Sequence, residues 1–178
     1  DFLNSFSHFT SSVDETKIHF IHEKGKGKKT VPLLLIHGYP DSFIRFLKVI
    51  PLLTAADDEG FSFDLVIPSI PGYGFSEIPT QPGMNTERIA NLFTQLMTEE
   101  LGYSNFIVHG GDWGSGIAEQ ISHAHPQNLK GIHLADIPWI HIFTISPDKL
   151  SEAEKKYIET GQQWSQKEGG YAIIQSTR

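Results

Sequence analysis

Four short apolar runs punctuate the chain: Val31-Pro-Leu-Leu-Leu-Ile36, Phe63-Asp-Leu-Val-Ile67, Asn105-Phe-Ile-Val-His109 and the weaker Leu129-Lys-Gly-Ile-His-Leu134. Each has the length of a strand, and continuity rather than alternation is what a strand needs when both of its faces are covered. Between them the apolar positions fall at helical spacing, over Phe43 to Leu53, Thr86 to Leu101 and Gly114 to His123. In the middle stretch Ile89, Leu92, Phe93, Leu96 and Met97 share one face. The order β-α-β-α-β-α-β predicts an α/β fold, a mostly parallel sheet wound with helices on both faces. Ligands of such sheets gather beyond the C-terminal ends of the strands, so chemistry is expected in the loops that follow them.

Upstream, Thr16-Lys-Ile-His-Phe-Ile-His22 alternates polar and apolar positions and predicts an edge strand running into a hairpin. Lys24-Gly-Lys-Gly-Lys-Lys29 is its turn, a solvated one with no function assigned. After Pro138 no further buried-strand run occurs, and Ser146 to Ile158 reads as a capped, charged amphipathic helix. Three regions are therefore expected: residues 1–30, the edge strands; 31–138, the wound core; and 139–178, a separate helical element laid over the sheet.

Composition narrows the function classes. With 178 residues, 39% hydrophobic and 11% aromatic, the chain can build a real core, which excludes a disordered segment or a disulfide-stapled miniprotein. Fourteen Lys and Arg against 21 Asp and Glu give a net charge of -7 that would repel a polyanion, so nucleic acid is not expected as a partner. The absence of cysteine removes thiolate catalysis and Cys-ligated zinc. No apolar run approaches the roughly 20 residues that span a bilayer, and the start Asp1-Phe-Leu-Asn4 has no signal-peptide character. The expectation is a soluble, cytoplasmic protein without a transmembrane segment.

Three strand-end loops carry candidate chemistry. Gly110-Gly-Asp-Trp-Gly-Ser115 stands between a strand and a helix and has the form of a nucleophile elbow, where small residues flank a strained apex. Its apex is Asp112, a carboxylate aimed at substrate beside a helix N-terminus; the same residue could instead simply cap that helix. His37-Gly-Tyr-Pro40 follows the first buried strand and can turn the Tyr39 N–H toward the strand ends, one oxyanion donor, with the Trp113 N–H as the other. Pro68 to Ser76 is a Pro/Gly turn expected to shape a pocket.

"LLLIHGYPDSF", "VIPSIPGYGFSE" and "HGGDWGSGIAEQISHAHP", in this order, resemble the α/β-hydrolase fold and, more narrowly, the epoxide hydrolases of the microsomal type. "FLNSFSHFTSSVDETKIHFIH" resembles the end of that family's N-terminal region and "EGGYAIIQSTR" a stretch of its helical cap, so the resemblance spans nearly the whole chain. It implies that residues 1–30 close the N-terminal region and that 139–178 begin the cap. It further implies that Asp112 is the nucleophile, that Tyr39 and Trp113 supply the oxyanion hole, and that Tyr171 is a cap tyrosine hydrogen-bonding the epoxide oxygen. The triad acid and base of the family are not matched here, which makes a fragment the expectation. Of the nine histidines, His133 and His141 lie closer to the strand ends than His19, His22, His123 and His125, and are read either as structural residues or as substitute bases. His19 and His22 are assigned to the remote hairpin, and His123 and His125 to the far end of the elbow helix. Asp136 follows the strand after the elbow and is read either as a triad acid or as a cap on the following turn.

The pocket is expected to draw on His37, Gly38, Pro40, Phe43, Tyr73, Phe75 and Trp139, an apolar lining suited to aryl or alkyl epoxides. No metal or other cofactor is expected. The partners expected are a small-molecule epoxide and, as an open option, a second copy of the chain in a homodimer. Two rivals remain at this level. A haloalkane dehalogenase resembles the chain in its elbow Asp followed by Trp, and a non-catalytic binding module would retain the fold with a vestigial elbow.

Overall fold

The structure, a computed structural model, describes residues 2–137 and 145–176, the last two of them as backbone only. It divides into two compact units, Asp1–Ile137 and Pro138–Arg178. In the first, six strands form one sheet: β1 (His8–Val13), β2 (Thr16–Glu23), β3 (Lys29–Ile36), β4 (Phe61–Pro68), β5 (Phe106–Gly110) and β6 (Leu129–Leu134), ordered β1-β2-β4-β3-β5-β6. The β4-β3-β5-β6 pairs are parallel, whereas β1 with β2 and β2 with β4 are antiparallel.

The predicted parallel sheet is therefore present, and the four apolar runs are its parallel strands. The upstream hairpin is not. β2 lies inside the sheet between β1 and β4, and the Lys24 to Lys28 segment leads across to β3, which β2 does not pair with. The true edge is β1, which buries only Val13 and so lacks an apolar signature; its ladder to β2 holds it in place.

Alternation along the strands divides the core. Leu34 and Ile36 point with Val66, Phe106 and Val108 toward α2 (Thr86–Gln95) and α3 (Trp113–Ala124). Leu33, Leu35, Leu65 and Ile67 point the other way, toward Phe43, Phe46 and α1 (Ile50–Thr54). Coverage on both faces is why these strands read as continuous apolar runs. The predicted Phe43 to Leu53 helix is broken into a 3-10 turn, Phe43–Phe46, and α1. Pro51 explains the break, since it has no N–H for a helix entering from Leu47 and is instead accommodated in the first turn of α1. α2 is capped by the Asn85 side chain, which accepts the Arg88 N–H, and widens at its end into a π-helical turn over Leu96–Glu100.

In the second unit, α4 (Glu152–Glu168) is followed by α5 (Gly170–Ser176). α4 starts later than the predicted Ser146, because Pro147–Lys149 forms a separate 3-10 turn and Ser151 supplies the cap. Its hydroxyl accepts the Glu154 N–H while the Glu154 carboxylate accepts the Ser151 N–H, a reciprocal capping box. Among the described residues no helix is long and apolar enough to cross a membrane.

Candidate active site

The chain leaves β3 for β4 on one side and later places β5 on the other, so the sheet's direction of winding reverses at the C-terminal end of β3. Crevices form at such reversals. The three loops singled out in the sequence follow the three adjacent strands β4, β3 and β5, which brings them to this one point.

At the end of β5, Asp112 adopts φ 56 and ψ -125, a sparsely populated backbone conformation for a residue with a side chain. The turn closes because its flanks are bare: a β-carbon at Gly110 would overlap the Gly114 carbonyl, and one at Gly114 the Ile36 carbonyl of β3. Asp112 occupies the N-cap position of α3, yet its side chain makes no capping bond. It turns instead to the neighbouring loop, where the Tyr39 N–H donates to Asp112 Oδ1 at 2.7 Å. The helix-cap reading of this residue is thereby set aside. Trp113 is the first residue of α3, so its N–H has no acceptor within the helix, and its indole is half exposed.

The loop after β3 carries a cis peptide at Tyr39-Pro40. Beneath it His37 is fully buried, with Nδ1 3.0 Å from the Gly38 carbonyl and Nε2 accepting the Ile70 N–H at 3.1 Å. Those two partners fix the tautomer, Nδ1 carrying the proton, and burial holds the imidazole below its ordinary pKa and therefore neutral. His37 joins the β3 loop to the β4 loop from below. As a fully buried residue it departs from the pocket-lining role expected of it; Gly38 is buried too, while Tyr39 and Pro40 face outward.

The β4 loop is secured from an unexpected quarter. His19, assigned from sequence to a remote hairpin, is buried beneath this loop. Its Nδ1 lies 2.9 Å from Ser69 Oγ, its N–H donates to Ser76 Oγ and its carbonyl accepts the Ser69 N–H. On the far side its Nε2 meets His8 Nδ1 at 2.8 Å. Phe43 is likewise a correction: it is a core side chain, only 2% exposed, packed against His19 at 5.0 Å between ring centroids. Phe75 stays largely exposed, and Tyr73 stands edge-on to Tyr39 at 6.4 Å. Burial, then the nearby Tyr39 and Asp112, push the Tyr73 hydroxyl above its ordinary pKa, keeping it protonated.

Asp136 stands two residues beyond β6, and among the described residues its carboxylate is turned back to the elbow. Its Oδ1 accepts the Asp112 N–H at 2.6 Å and lies 3.1 Å from Ser115 Oγ. His133 pairs with His109 across the β5-β6 ladder, Nδ1 to Nδ1 at 2.7 Å. This pair borders a cavity of about 460 Å³ on the α1 face of the sheet, also lined by Leu33, Leu35, Phe46 and Ile107, to which none of the three loops contributes. His123 lies beside Glu119 and His125 beside Asn91, both away from the strand ends. Tyr171 is an exposed residue of α5 in the second unit. Trp139 and His141 lie outside the described residues.

The chain matches the family model of the α/β hydrolase fold over residues 31–168 and that of the epoxide hydrolase N terminus over 1–46. It is 41% identical over 142 residues to epoxide hydrolase 1 of the rabbit, Oryctolagus cuniculus, covering 75% of this chain and 31% of the relative. Among solved structures it is similar to the juvenile hormone epoxide hydrolase of the silkworm Bombyx mori, at 36% identity and a TM-score of 0.72 over 83% of this chain and 41% of that one. It is also similar to the Aspergillus niger epoxide hydrolase, at 30% identity and a TM-score of 0.71 over 99% of this chain and 46% of that one. The chain thus spans less than half the length of each of these relatives.

Proposed function

Because the chain belongs to the α/β-hydrolase family, we propose that the full-length protein is an epoxide hydrolase with Asp112 as its nucleophile. The observation that carries this reading is the bond from the Tyr39 N–H to Asp112 Oδ1. One carboxylate oxygen is held by a backbone donor, so the other, Oδ2, is the one left to attack. Oδ2 forms a bond to an epoxide carbon, the strained ring C–O bond breaks, and its electron pair goes to the departing oxygen, which takes a proton from Tyr171. The product is an alkyl ester of Asp112 with Oδ1 as its carbonyl oxygen. Water then adds to that carbonyl; the Tyr39 N–H already held by Oδ1 is one donor to the developing oxyanion, and the first-turn N–H of Trp113 is assigned as the second. Collapse breaks the acyl C–O bond, releasing a vicinal diol and restoring the carboxylate.

Among the described residues no histidine hydrogen-bonds Asp112 or Asp136, so the base and acid of the hydrolytic step are assigned to parts of the protein outside them. Residues 31–138 serve as the N-terminal part of the hydrolase core, 1–30 as the close of the N-terminal region, and 139–178 as the start of a cap bearing Tyr171. The exposed rings of Tyr39, Phe75 and Trp113, with Tyr73 behind them, favour an apolar aryl or alkyl epoxide. Asp112→Ala in the full-length protein tests the assignment: diol formation should vanish while the circular dichroism spectrum is retained. Diol production by the folded variant would refute it.

A further inference from the structure

The elbow is held from both sides. On one side the nucleophile's side chain meets the Tyr39 N–H; on the other, its backbone is latched to the segment that leaves β6. The Ala135 N–H donates to the Gly110 carbonyl at 2.9 Å, and the Asp112 N–H donates back to Asp136 Oδ1 at 2.6 Å. The hydroxyl of the buried Ser115, one turn into α3, lies 2.9 Å from the Gly110 carbonyl and 3.1 Å from the same Asp136 oxygen. Gly110 and Asp112 are therefore tied to Ala135 and Asp136 by two opposed hydrogen bonds, with the one proton of the Ser115 hydroxyl shared between the Gly110 carbonyl and the Asp136 carboxylate.

A left-handed backbone at a non-glycine residue persists only where its surroundings over-determine it. At Asp112 the amide is the group whose direction defines that conformation, and its single acceptor among the described residues is the Asp136 carboxylate. A charged acceptor makes a shorter and stronger bond than a neutral one. We propose that Asp136 is a positioning residue, fixing the Asp112 backbone so that one carboxylate oxygen stays on the Tyr39 N–H and the other is aimed at the substrate. This rests on the nucleophile assignment above and separates Asp136 from the triad-acid role its sequence position suggested. An acid of the triad would act on a histidine in the hydrolytic step, whereas Asp136 acts on the nucleophile in the alkylation step.

The two steps can be read apart in the full-length protein with a reactive aryl epoxide such as styrene oxide, by quenched-flow mass measurement of the Asp112 ester. Asp136→Ala is expected to slow ester formation about 10- to 100-fold, the cost of a misaimed reacting group, with the epoxide's Kd little changed. Asp136→Asn keeps an oxygen acceptor and is expected to restore the rate to within about threefold, because the amide oxygen can take the same N–H. Normal ester formation followed by accumulated ester in both variants would make Asp136 the triad acid and overturn the proposal. So would rates of both steps unchanged in the folded Ala variant. A second readout does not depend on turnover. The Asp112 amide proton, bonded to a carboxylate, should resonate downfield and exchange slowly by NMR, retain this in Asp136→Asn and lose it in Asp136→Ala. If the wild-type protein forms no ester, the epoxide reading fails while this amide signal still decides the positioning role: unaltered exchange and shift in Asp136→Ala would reject it.

Discussion

A β-carbon placed on Gly38 would stand 2.6 Å from the Asp112 β-carbon, well inside van der Waals contact. The loop after β3 and the apex after β5 touch because residue 38 has no side chain, and this closeness lets the next amide, that of Tyr39, reach Asp112 Oδ1. Gly38→Ala should therefore displace the carboxylate rather than unfold the sheet. We expect ester formation from an epoxide to slow about 100-fold with secondary structure unchanged, measured by single-turnover adduct mass and circular dichroism. An unaltered rate would show that the contact does not set the geometry.

The His8-His19-Ser69 chain makes stability depend on acid. Burial first, and then His8, lower the His19 pKa from 6.5 to about 4, so the folded state holds this ring neutral where the unfolded chain would protonate it. Folding stability from this site is complete above about pH 6.5, declines as pH falls below that, and is fully lost near pH 4, a total on the order of 3 kcal/mol. His37, also lowered by burial, acts in the same direction. Urea unfolding at pH 7.5, 5.5 and 4.5 should show this decline, and His19→Asn should flatten it. Equal slopes in the two proteins would remove His19 from the cause.

Asp64, on β4, is nearly buried and accepts the Gly25 N–H at 2.8 Å, the Tyr103 hydroxyl at 2.8 Å and the Lys24 ammonium at 3.2 Å. Burial alone would raise its pKa, but these three donors outweigh burial and hold it below its ordinary value. Removing the carboxylate leaves the half-buried Gly25 N–H and Tyr103 hydroxyl without their acceptor, while the exposed Lys24 ammonium returns to water. Asp64→Ala should cost about 2 kcal/mol by denaturant unfolding and Tyr103→Phe about 1 kcal/mol. Loss of less than half a kcal/mol in Asp64→Ala would show that the cluster is dispensable.

The parallel strands were legible because two-sided burial leaves a continuous apolar run, and the elbow because its packing excludes side chains at Gly110 and Gly114. β1 was not, since an exposed edge strand held by ladder bonds has no apolar periodicity to read. The topology of β2 was obscured for a related reason: period-two alternation announces a strand but not its partner, and β4 lies some 40 residues downstream. The supports of the site, His19 under the β4 loop and Asp136 behind the elbow, depend on contacts across strands that are distant in sequence. The position of Asp136 after β6 pointed to it, but only the register Gly110 to Leu134 shows what its carboxylate meets.

The most direct test of the central claim is a single turnover of an epoxide by excess full-length protein in water enriched in oxygen-18. If Asp112 opens the ring and water then attacks its ester carbonyl, the diol from that first turnover carries the unlabelled enzyme oxygen, and the peptide bearing Asp112 gains one oxygen-18. Label appearing in the diol with the Asp112 peptide unchanged would mean that water opens the epoxide directly and would contradict the nucleophile.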